Sequence, residues 1–301
     1  MKKTGKFLGC FLPIIVALLC QISVSFFFSF GYGVYVELKT ASLGITDLAE
    51  KEAYLLEHMG SADVVMLITA FATAGTLLIG ALWYRGYKPS SDWKMKEVVN
   101  GKLIAALACL GLSLQFLISM CLNAVYPLLP QSLTDQYNAL MESLLGGNIW
   151  LSLLVTVILA PLAEEFLFRG ITMKQAQKIM PFMAANALQA LLFGIYHMNL
   201  IQGVYAFVLG MILGFTANYF HSIWAAILLH AFVNGSAEIL SLLPEFLTET
   251  WYGVAGVAVI GIILLFMTAK LFPGAKKEPV MNAGQENNTE NELFSENSFD
   301  E

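Results

Sequence analysis

Ten residues, Pro161-Leu162-Ala163-Glu164-Glu165-Phe166-Leu167-Phe168-Arg169-Gly170, set two adjacent carboxylates and an arginine at the end of an almost wholly apolar run, Ile149 to Ala160. An ionisable side chain at membrane depth costs roughly 2.5–3.5 kcal/mol on insertion scales. Three of them within six residues need a reason. The other polar groups within apolar runs are His197, then His230, Asn234 and Glu238, with Asn186, Gln189 and Asn218 as weaker members. Residues four apart share a helix face. Glu165 therefore faces with Arg169, and His230 with Asn234. Glu164 lies about 100° round from Glu165 at 3.6 residues per turn, so the two glutamates need not do the same job.

A glutamate and a histidine are the smallest set that activates water. A buried carboxylate can take a proton from water near neutral pH. One histidine can share that work or hold the water, while a second histidine and an Asn amide can donate to the oxyanion formed on an attacked carbonyl. Amide hydrolysis fits this inventory. No G-x-S-x-G occurs and no cysteine stands near these groups in sequence, so no nucleophile signature competes. Glu164, His197 and His230 could instead make a three-ligand zinc site with a position open for water, although the H-E-x-x-H signature is absent. Each group alone also has an ordinary packing role. Glu165 and Arg169 can be a structural ion pair, His197 a hydrogen-bonded core histidine, and His230 with Asn234 interhelical glue. Held together on three neighbouring spans, they are a costly set to keep in lipid for packing alone. Glu238, near the far end of its span, reads as structural, and His58 and His221 read as solvated.

The elements that must position these groups are membrane helices. The chain is 57% hydrophobic and 13% charged, against about 25% charge in soluble domains. The pattern predicts an all-α, polytopic integral membrane protein of about eight transmembrane helices. The spans run from Phe7 to about Phe30, Val64 to Tyr84, Leu103 to about Tyr126, Asn148 to Arg169, Phe182 to about Met198, Ile201 to Phe220, Ser222 to Leu243 and Trp251 to Phe272. The first run exceeds the roughly 7–15 apolar residues of a signal peptide core and reads as a retained span. Residues 36–60 read as an amphipathic external segment, 85–102 as a basic loop and 127–147 as a longer loop. From Glu278 onward there are seven acids and no Lys or Arg, a composition with too little apolar mass to fold. The four cysteines lie in apolar runs without C-x-x-C spacing and read as packing residues. With the N-terminus in the cytoplasm, 14 of the 16 Lys and Arg fall on the cytoplasmic side and only Lys39 and Lys51 outside. That is the positive-inside bias, and it puts both termini in the cytoplasm. Positions 164 and 197 are equidistant from Met180-Pro181, so an antiparallel pair of helices turning there sets Glu164 and His197 at similar depth. A fully spanning fifth helix would not, so either one of these two pictures is wrong or that segment is short or broken.

Glu164-Glu165-x-x-x-Arg169, Phe193-x-x-x-His197 and His230-x-x-x-Asn234 resemble the three ordered motifs of the CAAX protease and bacteriocin-processing (CPBP, or Abi) family of intramembrane proteases. The resemblance covers residues 148–240 and implies an all-helical fold whose cavity, formed by helices four to seven, gathers the motif residues around a catalytic water. It implies that Glu164 and His197 activate the water, that His230 and Asn234 support the oxyanion, and that Glu165 with Arg169 is the orienting pair. Family members have been classed as metalloproteases, and a metal-free glutamate mechanism is also entertained. The metal-free reading is preferred here, with zinc on Glu164, His197 and His230 kept as the alternative. No departure from the three motifs is seen.

The expected organisation is therefore residues 1–147 as three N-terminal spans with loops, 148–243 as the catalytic core, 244–277 as a last span and 278–301 as a disordered acidic tail. The expected activity is an intramembrane endopeptidase acting on a membrane-associated peptide or protein, in a bacterial plasma membrane, with the lipid bilayer and the substrate as partners and no nucleic acid. In bacteria the resemblance points to peptide maturation, bacteriocin self-immunity or processing of membrane-bound proteins. A non-catalytic immunity or partner-binding protein of the same fold is the alternative. A small transporter is a third reading, but it should show internal repeats, and none is seen.

Overall fold

A computed structural model describes residues 2–86, 100–248 and 250–272. Most of the basic loop and the acidic tail lie outside the described residues. Among those described the chain is helical, with no strand. The helices are α1 (Lys2–Gly9), α2 (Leu12–Ser42), α3 (Leu48–Met59), α4 (Ala62–Gly86), α5 (Gly101–Val125), α6 (Gln131–Leu145), α7 (Ile149–Gln177), α8 (Phe182–Tyr196), α9 (Leu200–Tyr219), α10 (Ile223–Ser241), α11 (Glu245–Thr248) and α12 (Trp251–Leu271). Among the described residues seven helical stretches are long and apolar enough to cross a membrane, and α8 is a shorter apolar helix.

Three boundaries differ from expectation. The first apolar helix does not stop near Phe30 but continues to Ser42, because Glu37 and Lys39 are single polar residues in a run without a breaker. Residues 131–145, expected as loop, form α6, which begins directly after Pro130. The fourth span extends past Arg169 to Gln177, since Lys174 and Lys178 sit where a helix approaches its end rather than beyond it. His58 also departs from a solvated reading. It stacks on Tyr54 with ring centroids 3.9 Å apart, and its Nδ1 meets the Tyr54 carbonyl at 2.8 Å.

Helix starts are set by side-chain caps that satisfy backbone N–H groups left without intrahelical partners. Asp47 caps α3, Asn100 caps α5, Asn148 caps α7, Asn199 caps α9, Ser222 caps α10 and Thr250 caps α12. The helices alternate between two ends. At one end Cys10, Ala176 and Ala185 pack together, and Phe220 meets Phe272 at 5.1 Å. At the other end Asp63 accepts from the Asn148 N–H at 2.7 Å, tying the start of α4 to the start of α7. Lys6, Arg85, Lys102, Lys174, Lys178 and Lys270 belong to the first of these ends.

The short α8 resolves the depth conflict posed by the hairpin count. Its 15 residues rise only about 22 Å at 1.5 Å per residue. It stops at His197 because Met198 turns into the left-handed region (φ 53°) and Asn199 then caps α9. α8 and α9 form an antiparallel hairpin in which Gly194 and Gly203 face each other. A Cβ on Gly194 would stand 2.6 Å from the Gly203 carbonyl oxygen, so only glycine permits that approach. Lower in the same pair, Gly214 leaves the space that the side chains of Asn186 and Gln189 fill.

Candidate active site

α7 carries the glutamate pair, and its backbone is unusual there. Two π-helical stretches, Leu153–Leu159 and Phe166–Met173, flank the short α-helical turn Ala160–Glu165. Such wide turns inside helices are rare and recur at functional sites. The Ala160 N–H bonds to the Val155 carbonyl. The next wide-turn donor would be residue 161, which is proline and has no N–H. The Thr156 carbonyl is thus left without either backbone donor. The Asn234 amide fills the vacancy, with Nδ2 donating to Thr156 O at 2.7 Å.

Glu165 and Arg169 are fully buried, and Arg169 Nη1 donates to Glu165 Oε1 at 2.8 Å. The i, i+4 pairing read from the sequence persists across the wider turn. Arg169 also donates from Nη2 to the Gly210 carbonyl at 3.2 Å and lies 4.5 Å over the Phe193 ring. The same carbonyl accepts from Gln189 Nε2 at 2.9 Å, and Gln189 and Asn186 bond to each other. Asn186 and Gln189 therefore tie α8 to α9 and stand behind the site. Asn218 is exposed and apart from it.

His230 of α10 sits between the two glutamates. Its Nδ1 is 2.9 Å from Glu165 Oε1, and its Nε2 is 3.6 Å from Glu164 Oε2. His197 ends α8, with Nδ1 2.8 Å from the Phe193 carbonyl. A carbonyl only accepts, so the His197 proton sits on Nδ1 and Nε2 is its free nitrogen. Both imidazole rings pack edge-on against Phe193, at 4.8 Å and 5.7 Å between centroids. Glu164 is the carboxylate with access, its side chain 14% exposed against none for Glu165. His197 lies within electrostatic reach of Glu164, His230 and Arg169. The six residues singled out by type and spacing are therefore drawn into one neighbourhood from α7, α8 and α10.

Sequence reasoning missed two contributors. Tyr196, adjacent to His197, packs on Phe168 at 5.5 Å, and its hydroxyl accepts from Gln21 Nε2 of α2 at 2.6 Å. The N-terminal half thus reaches the site although it carries no motif. Thr156 was missed because its contribution is a backbone carbonyl; the available signal was Pro161 five residues on. Glu238 lies further along α10 and bonds to Ser152 and Thr156.

Among the described residues no three His, Cys, Asp or Glu side chains gather closely enough to hold a metal ion. Glu164, His197 and His230 do not make a ready zinc site in this arrangement. The four cysteines are free.

Residues 146–236 match the family model for the Rce1-like domain, type II CAAX prenyl endopeptidase Rce1-like. Over this segment the chain is similar to the Rce1-like family. The match agrees with the CPBP family and contains all six motif residues, Glu164, Glu165, Arg169, His197, His230 and Asn234. The Rce1-like family is a protease family, and the similarity supports a hydrolase. No curated protein and no solved structure matches the chain.

Proposed function

We propose that the chain is an intramembrane endopeptidase that hydrolyses a peptide bond in a membrane-associated peptide or protein. The observation that carries this reading is the 3.6 Å gap between Glu164 Oε2 and His230 Nε2. It is too long for a direct hydrogen bond and short enough for both atoms to hold one water. Glu164 takes the water proton, with His197 holding the water on the other side. The water oxygen bonds to the substrate carbonyl carbon, and the carbonyl oxygen becomes the oxyanion. The Asn234 amide donates its second N–H to that oxygen. The C–N bond then breaks and the proton passes from Glu164 to the leaving amine. Arg169 neutralises Glu165, and Glu165 orients His230 through Nδ1.

An apolar groove of about 510 Å³ along α8 and α9 reaches Met198 and Asn199, which follow His197 in sequence. It favours a substrate that approaches within the bilayer. The site lies in the plasma membrane of a bacterium, with both termini cytoplasmic, and the reaction runs without a metal.

The test is cleavage of a fluorescence-quenched peptide with a farnesylated CAAX end, and of its unlipidated counterpart, by the full chain in proteoliposomes. His197→Ala and His230→Ala should each lower the rate by about 10²–10⁴-fold, the range for a lost acid–base group. Full activity in both variants overturns the site. Stoichiometric metal that is lost together with activity on chelation overturns the metal-free reaction. Absence of cleavage of any peptide by the folded wild type favours the non-catalytic immunity or partner-binding reading.

A further inference from the structure

Glu238 is a buried acid that the reaction does not use. It is 3% exposed. Oε1 accepts from the Ser152 hydroxyl and, at 3.1 Å, from the Thr156 hydroxyl. Oε2 has no hydrogen-bond partner among the described residues. Burying a carboxylate with one oxygen unserved is expensive, and an apolar residue of similar size would pack there at lower cost. The stability of the bundle therefore does not explain it.

Its neighbours supply an explanation. His230, Asn234 and Glu238 occupy positions i, i+4 and i+8 on one face of α10. Thr156 belongs to both of the last two. Its side chain bonds to Glu238, and its carbonyl, left without a donor by Pro161, receives the Asn234 amide. Ser152, one turn earlier, has one hydroxyl proton, with Glu238 Oε1 and the Leu144 carbonyl both in reach, just as the Thr156 hydroxyl has Glu238 Oε1 and, at 2.9 Å, the Ser152 carbonyl. The carboxylate thus meets α7 at two hydroxyls, that of Thr156 inside the first wide turn and that of Ser152 just before it.

We propose that Glu238 is a positioning residue: it fixes, through the Thr156 hydroxyl, the turn whose carbonyl holds the Asn234 amide at the oxyanion. This rests on the role given to Asn234 above. The effect runs through Asn234 and so disappears when Asn234 is absent. Glutamine at 238 keeps an acceptor oxygen for both hydroxyls and preserves the function, whereas alanine loses it.

The experiment compares Glu238→Ala, Glu238→Gln, Asn234→Ala and the Glu238→Ala/Asn234→Ala double variant in proteoliposomes with the same quenched peptides. Glu238→Ala should lower kcat about tenfold with KM within about twofold, the pattern of an interaction made in the transition state. Glu238→Gln should restore the rate, and the double variant should match Asn234→Ala alone. Unchanged kcat in Glu238→Ala, equal loss with glutamine, or an additive double variant overturns the proposal. Amide hydrogen exchange over residues 153–160 gives the second measurement on the same full-length proteins. Glu238→Ala and Asn234→Ala should each raise exchange there, and the double variant no further. If the wild type cleaves neither peptide, the protease reading fails alone, and exchange decides the positioning role: unaltered exchange in Glu238→Ala overturns it.

Discussion

Arg169 makes three contacts from one guanidinium: the Glu165 carboxylate, the Gly210 carbonyl and the Phe193 ring. A planar fork of donors can do this and a lysine ammonium cannot. Arg169→Ala leaves Glu165 as an uncompensated buried charge and is expected to lower stability by about 3–5 kcal/mol. The measurement is the thermal midpoint of the purified protein in detergent; an unchanged midpoint would remove the pair from the account. Arg169→Lys should fall between the two. This pair was legible from spacing alone, because four residues along a helix bring side chains together whatever else the chain does. The contact between His230 and Glu165 was not. It joins residues 65 apart in sequence, and only the rotation of α10 against α7 decides which glutamate the ring meets.

At the scale of the elements, the site depends on where helices depart from regularity. Two wide turns in α7, the early end of α8 and the close approach of α8 to α9 set the positions of Glu164, His197 and Arg169. Two substitutions probe these features. Gly214→Ala drives a methyl into the Asn186 side chain and is expected to destabilise by about 1–3 kcal/mol through overpacking, again read as a thermal midpoint. Pro161→Ala returns an N–H to position 161, giving Thr156 O a backbone donor. In that background the stability lost on Asn234→Ala should shrink by about 1 kcal/mol, the worth of one hydrogen bond. A loss as large as in the wild type would mean the proline does not create the vacancy. The apolar spans were legible because apolar length is a composition signal. α6 was not, since its residues are mixed and its start is marked only by Pro130. The early stop of α8 was forced as a choice by the hairpin count but not located, because a left-handed methionine leaves no mark in a sequence.

For the whole molecule, the described helices gather Lys6, Arg85, Lys102, Lys174, Lys178 and Lys270 at one end and α3 and α6 at the other. In the proposed orientation, which rests on the positive-inside bias, the first end is cytoplasmic. Cysteines placed at Glu57 and Gln136, in a background without the four native ones, should react with an impermeant maleimide in intact cells, and cysteines at Thr4 and Gln177 only after permeabilisation. Labelling of all four in intact cells would break this topology. The family segment was legible because three short motifs fall in order. The part played by α2 was not, since Gln21 is an ordinary polar residue in a long apolar run until Tyr196 is placed against it. The central claim is that Glu164 takes the proton of the attacking water. Single-turnover cleavage of the quenched peptides by wild type and Glu164→Gln, reconstituted at equal density and with equal thermal midpoints, tests it most directly. The amide keeps the shape of the side chain and removes the base, so the rate should fall by about 10²–10⁴-fold. A Glu164→Gln protein that cleaves within about threefold of wild type would contradict the account.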